Sequence, residues 1–94
     1  MPHTLARTER HILGGAVRRI RELQGRTQAQ LAAAAGPDSS GKSLSFTTIS
    51  HVEAGRRQPS VQIMCRIANA LGVDLDDITY MANVVVADDG EAVA

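Results

Sequence analysis

Residues 36–43 read GPDSSGKS, in which Gly36, Gly41, Lys42 and Ser43 fill the pattern G-x-x-x-x-G-K-[ST]. In that pattern the backbone N–H groups of a loop cradle phosphates, the lysine reaches their oxygens and the hydroxyl holds magnesium. The later run VVVADD at 84–89, apolar and ending in aspartate, has the look of the strand that supplies the metal's second ligand. Nucleotide chemistry would need a buried strand before the first glycine and a helix directly after the Lys-Ser pair. Here LAAAAG precedes the loop, a helix by propensity without a β-branched residue. A phosphate-binding α/β core also takes several βαβ units of ~30 residues each, more than 94 residues can comfortably hold. The match is an accident of a polar loop. Nothing else in the chain pairs a nucleophile with a base, and His3, His11 and His51 have no ligand spacing. The sequence predicts no enzyme, no metal and no cofactor.

The remaining chemistry is charge. Lys/Arg and Asp/Glu balance at ten each, but not along the chain. Residues 1–73 hold all ten Lys/Arg and four acids, a formal +6, whereas residues 74–94 hold six acids and no Lys/Arg, −6. A basic body with an acidic tail predicts a polyanion as partner for the body. Cys65 is the one cysteine, so no intramolecular disulfide framework is expected. No apolar run approaches the ~18 residues of a membrane span, and no charged-then-apolar leader opens the chain. The expectation is a cytoplasmic protein of one domain.

The elements that must position those charges read as helices. Ile12, Leu13, Ala16, Val17 and Ile20 repeat at three- and four-residue spacing, with Thr8 as N-cap and Gly25 as stop. Gly14-Gly15 lies inside that pattern, so either close packing needs it or the helix starts there. Thr27, with Gln30 three residues on, forms a capping box for a short alanine-rich helix that Gly36-Pro37 ends. Residues 37–43 are loop by composition. Ser45 caps a third helix with Ile49 and Val52 inward, ended by Gly55. Ser60 caps a fourth, with Val61, Met64, Ile67, Ala68 and Leu71 as its stripe and Gly72 as its stop. Asp74 is expected to cap a fifth, with Leu75, Ile78 and Met81 inward. Residues 82–94 read as an acidic tail, either disordered or, through Val84-Val85-Val86, a short dimerisation strand.

Residues 14–78 resemble the helix-turn-helix family of the phage-repressor, Cro and xenobiotic-response-element (XRE) type. The resemblance rests on an ordered set: VRRIR at 17–21, GRTQAQLA at 25–32, S…ISHVEAG at 45–55, Pro59-Ser60, and IANALGVDLDDI at 67–78. It implies an all-α, compact five-helix, lambda-repressor-like DNA-binding domain over residues 1–81, with a flexible tail over 82–94. One departure is an insertion, residues 37–43, between Gly36 and the Leu44-Ser45 that opens helix three. A surface insertion costs little closure entropy.

The resemblance also implies roles. Double-stranded DNA is the expected partner, bound by a homodimer, with a recognition helix over about 45–54 in the major groove. Ser45, Phe46, Thr47 and His51 are the expected base contacts. The hydroxyls suit several base edges and Phe46 a thymine methyl, although Phe46 could instead pack under the inserted loop. Phosphate contacts are expected from Arg26, Thr27, Gln28, Lys42, Thr48, Ser50, Arg56 and Arg57. For Lys42 and the arginine pair the alternative, a solvated surface, stays open. Arg21 and Glu53 would form an ion pair that holds the fold. The implied function is transcriptional regulation, most simply repression. The alternative is a protein-interaction module, such as an antitoxin that binds a protein partner through its tail.

Overall fold

Two strands far apart in sequence open and close the described chain. The computed structural model describes residues 4–38 and 40–87. In order these form β1 (Thr4–Ile12), α1 (Gly14–Leu23), α2 (Gln28–Ala35), α3 (Phe46–Glu53), α4 (Val61–Leu71), a single 3₁₀ turn (Leu75–Asp77) and β2 (Thr79–Ala87). β1 and β2 pair antiparallel as a two-stranded ribbon, with Thr8 opposite Asn83 and Ile12 opposite Thr79.

The expected all-α five-helix domain is therefore wrong in two places. Thr8 caps no helix: it lies in β1, and α1 begins at Gly14, behind Leu13, five residues later than a cap at Thr8 would start it. The fifth helix stops after one turn. Asp74 opens it, its N–H bonded to Asp77 Oδ2 at 2.9 Å, but Thr79, Tyr80 and the three valines that follow favour a pleated strand. Met81, expected to face inward from a helix, lies in β2 and is exposed. Of the expected tail, residues 82–87 belong to β2, and residues 88–94 lie outside the described residues. The valine triplet pairs within its own chain.

The helices bury most of the stripe that their periodicity marks, but Leu13 and Val61, expected in it, are exposed at helix starts. Val17, Leu31, Ile49, Val52, Met64, Ile67, Ala68 and Leu71 form one core with Ile12 and Ile78 from the ends of the ribbon. Thr27, Ser45 and Ser60 each cap their helix by accepting an N–H from the residue three positions on. The Leu13 N–H donates to Ile78 O at 2.7 Å, which fastens the start of α1 to the root of β2. Arg10 adds two bonds at that root, to Asp76 at 2.7 Å and to Thr79 Oγ1 at 2.8 Å.

Gly14 settles its own question. A Cβ there would lie 2.1 Å from the Val52 carbonyl oxygen, so α1 can cross the end of α3 only on a bare backbone. Its neighbour Gly15 meets nothing. No helix among the described residues is long and apolar enough to cross a membrane.

Candidate nucleic-acid interface

The site is built on α2 and α3, which pack on each other, with α4 against α2 and α1 against α3. Ile49 and Val52 are fully buried and fix the rotation of α3. Its opposite side then carries Thr47, Ser50 and His51, three and four positions apart and so on one face. Phe46 flanks them at the N-terminal turn and is 58% exposed, so it does not pack under the inserted loop. Ser45 spends its hydroxyl on the cap: Oγ accepts from Thr48 N at 3.2 Å and lies 3.2 Å from Thr48 Oγ1. Thr47 is exposed, while Thr48, Ser50 and His51 are half-buried.

A bidentate ion pair sets the angle between α1 and α3. Arg21 donates from Nε to Glu53 Oε2 at 2.7 Å and from Nη2 to Glu53 Oε1 at 3.0 Å. Gln28, at the start of α2, donates to the same Oε1 at 3.1 Å, and Arg21 Nη1 donates to Arg26 O at 2.7 Å. Three helices thus meet at one carboxylate that is only 3% exposed. The Glu53 hydrogen bonds hold the Arg21 guanidinium above its ordinary pKa.

That network occupies two of the expected phosphate ligands. Gln28 is turned onto Glu53, and Arg26 donates to the Ala70 carbonyl at 2.5 Å near the end of α4. Thr27 closes the capping box with Gln30, its N–H bonded to Gln30 Oε1 at 2.8 Å and its Oγ1 to Gln30 N at 3.0 Å. By contrast Lys42, Arg56 and Arg57 are exposed. Gly55, at φ 73°, turns the chain out of α3, and the Arg56 N–H closes onto His51 O at 2.9 Å.

The inserted loop has its own internal frame. Asp38 Oδ1 accepts from Ser40 N at 2.9 Å, Ser40 Oγ at 2.6 Å and Lys42 N at 2.9 Å. The Ser40 hydroxyl, first, and the Lys42 amide draw the Asp38 carboxyl below its ordinary pKa of 3.8. Pro37 and Ser43 bridge the loop's neck. Arg66 of α4, to which the sequence gave no role, donates to the Gly36 carbonyl and reaches Lys42 O at 3.4 Å. Its one sequence signal is that it is the only charged residue of α4. The loop therefore follows a helix, where a nucleotide cradle would need a strand.

Between this loop and the N-termini of α3 and α4 runs an open groove of about 900 Å³, lined among others by Lys42, Ser45, Thr48, Arg57 and Ser60. Two helix N-termini and three cations, Lys42, Arg57 and Arg66, against one carboxylate, Asp38, suit an anion. Among the described residues no group of His, Cys, Asp or Glu is placed to hold a metal.

Residues 17–78 match the sequence model of the helix-turn-helix family. No curated protein matches the chain at a significant level. Among solved structures it is similar to the restriction-modification controller protein C.AhdI from Aeromonas hydrophila, at 26% identity and a TM-score of 0.60 over 69% of this chain and 84% of that one. It is also similar to the clp gene regulator ClgR from C. glutamicum, at 31% identity and a TM-score of 0.57 over 69% of this chain and 75% of that one. With α2 and α3 disposed as they are, and with that match over 17–78, the chain belongs to the XRE-type helix-turn-helix family of DNA-binding regulators.

Proposed function

We propose that the chain is a sequence-specific, double-stranded DNA-binding transcriptional regulator that acts as a repressor, with α3 in the major groove. The observation that carries this reading is the division of α3 into a buried side, Ile49 and Val52, and an outward side with Phe46, Thr47, Ser50 and His51. Base contacts come from Phe46, Thr47 and His51. Ser45 serves chiefly as the cap and contacts DNA through its helix terminus. Phosphates lie against Lys42, Thr48, Arg56 and Arg57, which surround or follow α3. Ser50 contributes a hydroxyl beside His51. Arg26, Thr27 and Gln28 orient the α2 N-terminus, whose N–H groups face the backbone.

None of these side chains makes the bidentate pairs by which Arg specifies guanine or Asn and Gln adenine, so discrimination at each position is modest. Shape readout supplies part of the remainder. A homodimer reads a near-palindrome with half-site centres ~34 Å apart, and it represses by occupying that site. The similarity to a controller protein and to a gene regulator supports the regulatory role.

Selection from a randomised duplex pool tests the reading. It should enrich one two-fold-related sequence. Thr47→Ala and His51→Ala should then relax preference by ~1–3 kcal/mol at the base pair each one contacts. An unchanged preference in both variants would sink the assignment of α3.

A further inference from the structure

The turn between α3 and α4 has little backbone bonding of its own. Gly55 N donates to Val52 O at 3.1 Å and Arg56 N to His51 O at 2.9 Å, and both bonds close the end of α3. The N–H groups of Arg57 and Gln58 make no backbone hydrogen bond among the described residues. Pro59 is buried and Ser60 caps α4, so the chain is held again from there on. Arg56, Arg57 and Gln58 are themselves exposed. One side chain spans this stretch: Gln58 Oε1 accepts the Ile12 N–H at 2.8 Å, across 46 positions. Ile12 ends β1, is 4% exposed and belongs to the core. The Gln58 amide therefore moors an exposed turn to a buried point of the scaffold.

We infer that Gln58 is a positioning residue for DNA binding: by holding the turn to Ile12 it presents Arg56 and Arg57 together to the phosphate backbone. The inference rests on the reading of both arginines as phosphate contacts. An untethered turn samples several orientations, and the two arginines meet phosphates together in only some of them. A tether that selects the competent orientation before DNA arrives removes that ordering cost from binding. Affinity then rises in proportion to the competent fraction. The anchor is rigid with respect to the helix that the turn leaves. Two residues beyond Ile12, Gly14 packs its bare backbone on the Val52 carbonyl, so Ile12 is fixed to the end of α3.

The side chain suits the task. Glutamine carries a neutral acceptor at the end of a long stem. A carboxylate would offer the same oxygen but place a negative charge beside the phosphates. Gln28 does comparable work at the start of α2, where its amide is spent on Glu53 rather than on a ligand. Because phosphate contacts carry no base information, a residue that acts through Arg56 and Arg57 sets affinity for all sequences alike. A bond that merely stabilised the fold would show no dependence on those two arginines.

Gln58→Met keeps the length of the side chain and removes the acceptor. In anisotropy titrations of a random duplex and of the selected one, it should weaken binding to both by the same ~3–10-fold. Hydrogen exchange at the Ile12 amide should quicken, while α4 amides keep their wild-type rates. The deciding measurement repeats the change in an Arg56→Ala, Arg57→Ala background, where Gln58→Met should cost no further affinity. An equal loss in both backgrounds, or wild-type affinity in Gln58→Met, would overturn the inference and leave the phosphate contacts standing. Wild-type affinity in the double arginine variant would sink the phosphate assignment, and the inference with it. Should Gln58→Met lose its helical circular dichroism, Gln58→Asn, a methylene shorter in reach, takes its place in the cycle. Gln58→Glu keeps an acceptor at the same reach and should hold the Ile12 amide as slow as in the wild type; exchange there as fast as in Gln58→Met would count against the tether.

Discussion

Replacing Glu53 by methionine should be the most damaging single change near the interface. The carboxylate is 3% exposed and receives three hydrogen bonds, two from Arg21 and one from Gln28. Its loss leaves the guanidinium of Arg21, whose side chain is 12% exposed, with one remaining bond to Arg26 O. Stranding one partner of a buried pair costs ~3–5 kcal/mol, whereas replacing both by apolar residues of similar size is often near neutral. A domain of this size loses ~4–8 °C of melting temperature per kcal/mol. Glu53→Met should therefore lower the melting temperature by at least about 12 °C, from a total stability of only ~5–15 kcal/mol. The double variant Arg21→Met with Glu53→Met should recover most of the loss. The assay is a double-mutant cycle by thermal and urea unfolding, followed by circular dichroism. A Glu53→Met cost below about 1 kcal/mol, or a double variant as unstable as the two single losses added, would refute the claim that stranded charge dominates here.

Three further changes probe other parts of the account. Gly14→Ala drives a methyl into the Val52 carbonyl and should cost ~1–3 kcal/mol as overpacking; Gly15→Ala, in the same helix with open space around it, should cost nothing and stabilise by up to ~1 kcal/mol in the same unfolding assay. Asp38 has a folded pKa below its unfolded 3.8, so its hold on the loop is complete above that value and is lost as pH falls through the lower, folded one. Hydrogen exchange at the Lys42 amide should thus quicken as pH drops below about 3.8 relative to α4 amides, and should be fast at all pH in Asp38→Ala. Arg56→Ala should weaken every DNA sequence about equally and flatten the slope of log affinity against log salt by about one; a sequence-dependent loss would instead mark Arg56 as a base reader.

The parts of the fold that could be read from the sequence are those whose cause is local. Thr27, Ser45 and Ser60 each sit within three residues of the N–H they accept, and Met64, Ile67, Ala68 and Leu71 recur at the helical period within one α-helix. The ribbon was hidden because its cause is not local. Thr8 and Asn83 are 75 positions apart, and each strand alone mixes polar and apolar residues without a clean alternation. Thr8 has the chemistry of an N-cap, and Leu75 and Ile78 have helical spacing; only the pairing of β1 with β2 overrides both. The same limit applies to the interface. Composition marks Arg26 and Gln28 as polar surface residues, yet Ala70 O and Glu53, reached across 44 and 25 positions, claim them first. Arg66, which ties down the inserted loop from 30 positions away, is invisible on the same grounds.

The claim that the face around α3 binds a nucleic-acid backbone is tested most directly by fluorescence anisotropy of a labelled random duplex at about 50 and 200 mM salt. Lys42, Arg56 and Arg57 from two copies would neutralise about six phosphates, for a log–log slope near −5, so affinity should fall by roughly 10³-fold across that range. An affinity that hardly changes with salt, or no binding at 50 mM, would contradict the account.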